Sequence, residues 1–226
     1  MLTRTFLVSI LAGVAVGTPA AARHPKPKPV NEFENAEIRV ERNATDGDTE
    51  VVIFAKGGDE GFRYFTVRSP DRRHIVQFHG ANPGQRELLF ESPEPPGDAI
   101  LAAYPEGTYH FKGLASDGAW FAAAAQLSHA LPPQAVILSP QDEATIAPGA
   151  LLIQWSSVTG AAQVLVELEN ESADPEQVLT FNLPPEATSF EVPAALMTPG
   201  ATYQLSIGTV GENGNRVFVE VGFQTQ

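Results

Sequence analysis

Five histidines, a small knot of oxygen ligands and a single tryptophan on a short hairpin are the side chains with most chemistry to offer in this cysteine-free chain of 226 residues. His74, His79, His110 and His129 would bind a metal only by converging, because zinc takes three or four ligands. His74 and His79 stand five positions apart, so on one regular strand they are expected on opposite faces. No histidine metal site is expected. Asn43, Asp46, Asp48 and Glu50 carry oxygens of the kind calcium accepts. Their spacing is not that of the twelve-residue calcium loop, and Asp46-Gly47-Asp48 reads as an ordinary turn.

Signatures of catalysis are missing. There is no Gly-x-Ser-x-Gly elbow, no phosphate loop ending in Gly-Lys and no His-Glu-x-x-His helix. No catalytic residue and no cofactor are therefore expected. With 27 acids in the chain, two carboxylates distant in sequence could still flank a glycosidic bond. That keeps a carbohydrate-binding module or small exported glycan-acting hydrolase as the alternative reading.

Charge and leader bound the setting. Residues 1–22 have a basic start at Arg4, an apolar run of about a dozen residues and an Ala20-Ala21-Ala22 cleavage site, which together make a secretory signal peptide. The run is too short to cross a bilayer core of ~30 Å as a helix, so no transmembrane segment is expected after cleavage. Loss of Arg4 takes the formal charge from −13 to −14. Residues 23–30 follow as a Pro/Lys spacer of extended type. From 132 to 226 eleven acids stand against one base, Arg216. Such a balance repels phosphate backbones, so nucleic acid is excluded as a partner.

What must position these residues is a β framework. Residues 103–118 and 196–214 repeat one device: a Pro/Gly turn, a tyrosine (Tyr109, Tyr203), an alternating run, and an Asp-Gly or Asn-Gly turn into a second alternating run. Opposed residues in a hairpin share a face. In the second copy this pairs Tyr203, Leu205, Ile207 and Thr209 with Val217, Val219, Val221 and Phe223 around a five-residue loop, 211–215. In the first copy a three-residue loop, 116–118, with Gly118 in the left-handed region, sets Leu114 opposite Trp120, Lys112 opposite Ala122 and His110 opposite Ala124. Further strands are expected at 38–43, 50–56, 62–69, 74–79 and 86–91, then at 136–138, 151–155, 164–168, 178–183 and 190–192. One helical turn is expected at 98–104, with Asp98 as its N-cap.

The run Leu152-Ile153-Gln154-Trp155, Phe190-Glu191-Val192-Pro193, Pro199-Gly200-Ala201-Thr202-Tyr203 and Gly214-Asn215, in that order and spacing, resembles a fibronectin type III domain over residues 132–226. The resemblance implies a seven-stranded sandwich with a core tryptophan and a tyrosine corner. Residues 31–131 carry only the tyrosine-corner half of the pattern and read as immunoglobulin-like. The expected fold class is all-β, two tandem antiparallel β-sandwich domains. The expected role is that of an exported, non-catalytic binding protein at or outside the cell surface, with a protein or surface polymer as partner. The contact face expected for it is Trp120, Leu114, Lys112 and His110, an apolar and basic strip that either meets that partner or packs on the second domain and the Pro132-Pro133 linker.

Overall fold

The computed structural model describes residues 30–59, 61–81, 84–147 and 149–226. The leader and the spacer up to residue 29 lie outside the described residues. The strands of the first half are β1 (Val30–Asn31), β2 (Asn35–Asn43), β3 (Thr49–Lys56), β4 (Phe62–Arg68), β5 (His74–His79), β6 (Glu87–Glu91), β7 (Gly107–Ala115) and β8 (Trp120–Leu127). Those of the second are β9 (Ile137–Ser139), β10 (Ala144–Ile146), β11 (Leu151–Trp155), β12 (Gln163–Asn170), β13 (Gln177–Leu183), β14 (Ser189–Val192), β15 (Thr202–Val210) and β16 (Arg216–Thr225). Among the described residues the only helical turns are two 3-10 turns, Ala99–Ala102 and Ala194–Leu196.

Period-two alternation puts the apolar side chains on one face of each strand. In β7 Tyr109, Phe111 and Ala115 are buried while Thr108, His110 and Lys112 are exposed. In β11 Leu151, Ile153 and Trp155 are buried, with Leu152 and Gln154 exposed between them. Two cores result. One gathers Ile38, Val40, Ile53, Phe62, Phe65, Tyr109 and Phe111 with their neighbours up to Leu131. The other gathers Ile153, Trp155, Val164, Val166, Tyr203, Leu205 and Phe223. The first lies between the sheet β1-β8-β7-β4-β5 and strands β2, β3 and β6. The second lies between β13-β12-β15-β16 and the sheet β14-β11-β9.

Both hairpins pair in the expected register: Leu114 with Trp120 around a 116–118 loop, and Tyr203 with Phe223 around 211–215. Gly118 has φ +88°, the left-handed value its loop requires. Phe218 lies over Gly208, where a Cβ would sit 2.6 Å from the Phe218 ring, so the glycine and the aromatic are a matched pair. Both tyrosine hydroxyls bond backbone upstream. Tyr109 donates to the Pro105 carbonyl at 3.1 Å, and Tyr203 accepts from the Thr198 N–H at 2.7 Å. Trp155 fills the second core at 1 % exposure.

Three features depart from expectation. Asp98 does not cap its turn, because its carboxylate is paired with Arg42 across the sheet edge. Strand β10 has too short an apolar signal, Ala144 and Ile146 alone, to stand out from loop sequence. Finally, not every pairing is antiparallel. The two sandwiches join through a parallel pairing of β16 with β2, Arg216 opposite Glu41 and Phe218 opposite Asn43, which makes one eight-stranded sheet.

That junction is well bonded. Asn215, 1 % exposed, accepts from Val40 N–H at 2.8 Å and donates to the Ser128 and Ala130 carbonyls at 2.7 and 2.9 Å. Asn213 donates to Ala130 O at 2.8 Å, and Thr209 to Pro133 O at 2.7 Å. The 211–215 loop thus grips both the linker and β2.

Candidate functional site: the outer face of the five-stranded sheet

The strands β8, β7, β4 and β5 turn one side to the first core and the other to solvent. Ladder register sorts the outer side chains into rows that run across the strands. The first row is Trp120, Leu114, Tyr64 and His79, and β1 extends it with Val30. The second is Ala122, Lys112, Thr66 and Gln77; the third is Ala124, His110, Arg68 and His74. Trp120, Leu114, Lys112 and His110 therefore share one face, as their parity requires.

Aromatic and apolar groups occupy one end of that face. Trp120 is 38 % exposed. Its ring stands edge-on to Tyr64 at 6.5 Å, and Tyr64 in turn contacts His79 at 5.0 Å. Basic groups occupy the other end. Arg68 Nε donates to His74 Nε2 at 3.0 Å, and His74 Nδ1 lies 2.9 Å from Thr66 Oγ1. Between the two ends runs a trough of about 400 Å³ whose walls include Val30, Tyr64, Arg68, Lys112 and Trp120. All of its lining residues belong to the first half of the chain, and none is a carboxylate.

One expectation about these residues is overturned. His74 and His79 lie on the same face, not on opposite ones. A bulge in the β4–β5 ladder between Val67 and Arg68 inserts Ile75, which restores His74 to the outer side opposite Arg68. An extra residue of this kind reverses the parity of everything beyond it. His129 is elsewhere, its Nε2 2.8 Å from the Tyr104 carbonyl. Tyr64, Thr66 and Arg68 were missed as members of the face. Their own strand is legible, but which hairpin it joins is a long-range pairing that no local pattern encodes.

The oxygen-rich quartet lies at the junction of the two sandwiches. Asn43, Asp46, Asp48 and Glu50 line a hollow of about 200 Å³ with Glu94, Glu167 and Glu220. Two of the four already serve the local turn, since Asn43 Oδ1 accepts from Thr45 N–H and Asp46 Oδ1 from Asp48 N–H. The Asn43 amide also donates to Glu220 at 2.7 Å. Burial, and then the charges of Glu41, Glu94 and Glu91, push the Glu50 carboxyl up to about 7. Burial likewise raises Glu167. Among the described residues no group of three or more His, Asp or Glu side chains is placed to hold a metal ion.

No family model matches the chain, and no curated protein is similar to it in sequence. Among solved structures, a two fibronectin type III domain segment of chicken tenascin is 11 % identical, with a TM-score of 0.31, covering 86 % of this chain and 99 % of that one. The FN1–FN3 domains of chicken contactin are 9 % identical, with a TM-score of 0.33, covering 87 % of this chain and 66 % of that one. These are loose likenesses, and the all-β class rests on the sheets and cores themselves. Among the described residues no helix is long and apolar enough to cross a membrane.

Proposed function

We propose that the chain is an exported, non-catalytic binding protein that acts at or outside the cell surface and holds a protein or surface polymer on the outer face of its five-stranded sheet. In this reading residues 31–131 form an immunoglobulin-like domain and residues 132–226 a fibronectin type III-like one. The observation that carries the reading is Trp120, 38 % exposed at the head of a trough lined by Tyr64, Arg68 and Lys112 and by no residue of the second sandwich. Large aromatics and Arg are the side chains that dominate binding energy when desolvated by a partner. Support for export is the leader at 1–22.

Trp120→Ser is the test of the surface. Its indole makes only an edge contact within the chain, so the melting temperature is expected to move by no more than ~2 °C. Retention by cell-envelope material from the native host is expected to be lost. Retention equal to that of the wild type removes the face from function. Export is checked by mass spectrometry of protein recovered outside the cytoplasm, which is expected to begin at or near Arg23. A retained Met1 in that fraction overturns it.

A further inference from the structure

The row geometry of the outer face names the chemistry of its occupant, and this rests on the surface reading above. We propose that the face binds a carboxylated polysaccharide laid across the strands, with sugar faces against Trp120 and Tyr64 and carboxylates toward Lys112 and Arg68.

Charge points to an anion. The chain carries −13 overall, yet the three rows hold Lys112, Arg68 and three histidines and no acid. Arg68 spends only its Nε on His74 among the described residues. Its two terminal nitrogens are the fork that matches a carboxylate.

Size and backbone then choose among anions. Five strands span about 19 Å, and three rows about 13 Å along them. A face of ~250 Å² falls well short of the ~800 Å² per partner of a stable protein interface, so a folded acidic protein or a second copy is too large a match. An extended acidic peptide gains its affinity from main-chain bonds at a sheet edge. Here the strands β8, β7 and β4 are already paired on both sides. A peptide on the face would therefore press unpaired amides against Trp120 and Tyr64. A sugar chain has no such groups: its hydroxyls meet Lys112, Thr66 and Gln77 in the middle row, and its C–H faces meet the rings.

The experiment uses the exported chain with three polymers: polygalacturonate, the same polymer methyl-esterified, and poly-glutamate, read by affinity electrophoresis. Polygalacturonate is expected to be bound. Esterification, or Lys112→Gln in the protein, is expected to weaken binding about tenfold, and Trp120→Ser to abolish it, with circular dichroism unchanged in both variants. No binding of polygalacturonate, equal binding of the ester, or equal binding of poly-glutamate overturns the proposal. If polygalacturonate fails while envelope retention still requires Trp120, the polysaccharide is wrong and the surface stands. If retention does not require Trp120, both fall.

Discussion

Glu50 shows how one side chain carries the cost of an acidic junction. It sits on β3 beside the seam, and burial together with Glu41, Glu94 and Glu91 raises its carboxyl from an ordinary 4.5 to about 7. A carboxyl whose pKa is higher folded than unfolded binds more protons in the native state. It therefore stabilises the fold fully below about 4.5, and that contribution is lost as pH rises through about 7. The melting temperature is expected to rise by a few degrees from about pH 8 to about pH 5. In Glu50→Gln that slope is expected to flatten, and the protein to be more stable at the alkaline end. A Glu50→Gln protein with the wild-type slope assigns the effect elsewhere, Glu167 being the next carboxyl raised by burial.

At the scale of elements, β16 is the strand on which both sandwiches depend. One edge pairs with β15 along its whole length. The other is divided, with β2 taking residues 216–218 and β10 taking 223–225, both in parallel. The arrangement leaves little free edge, which guards a long β-strand against pairing with another chain. The same element scale explains the outer face of the five-stranded sheet. Regular ladders align Trp120, Leu114 and Tyr64 in one row, and the bulge in β5 brings His74 into the basic row. Without the bulge His74 would face Phe65 and Val67 in the core, and the basic end of the face would lose one of its members.

The molecule as a whole is two cores joined by a shared sheet and by the three bonds of one buried asparagine. Asn215 joins β2, the linker and its own hairpin at once. Replacing it by Ala leaves the Val40 N–H and two carbonyls without their partner, a loss of about 2 to 3 kcal/mol. Calorimetry of the wild type is expected to show a single transition, because neither sandwich can leave without exposing the seam. Asn215→Ala is expected to separate it into two. A single unshifted transition in the variant would mean that the parallel β2–β16 pairing alone couples the halves. The charge pattern is also a property of the whole. The second sandwich is almost purely acidic, and the outer face of the first is the basic exception.

Alternation, Pro/Gly turns and hairpin parity were enough to place most strands, both cores, the tyrosine corners and the Trp120–Leu114 pairing, because each depends on residues within about twenty positions of one another. They were also enough to put Trp120, Leu114, Lys112 and His110 on one side. The rest depended on contacts between distant segments. Tyr64, Thr66 and Arg68 join the face only because β4 pairs with β7, some forty-five residues away. The 211–215 loop reads locally as a turn, and only the fold places Asn215 against Val40, 175 residues earlier. Asp98 reads as a cap because capping is local, yet the nearby Arg42 guanidinium draws its carboxylate away. The bulge that returns His74 to the outer face leaves no mark in the residue pattern, since one inserted Ile among apolar neighbours looks like any other strand position.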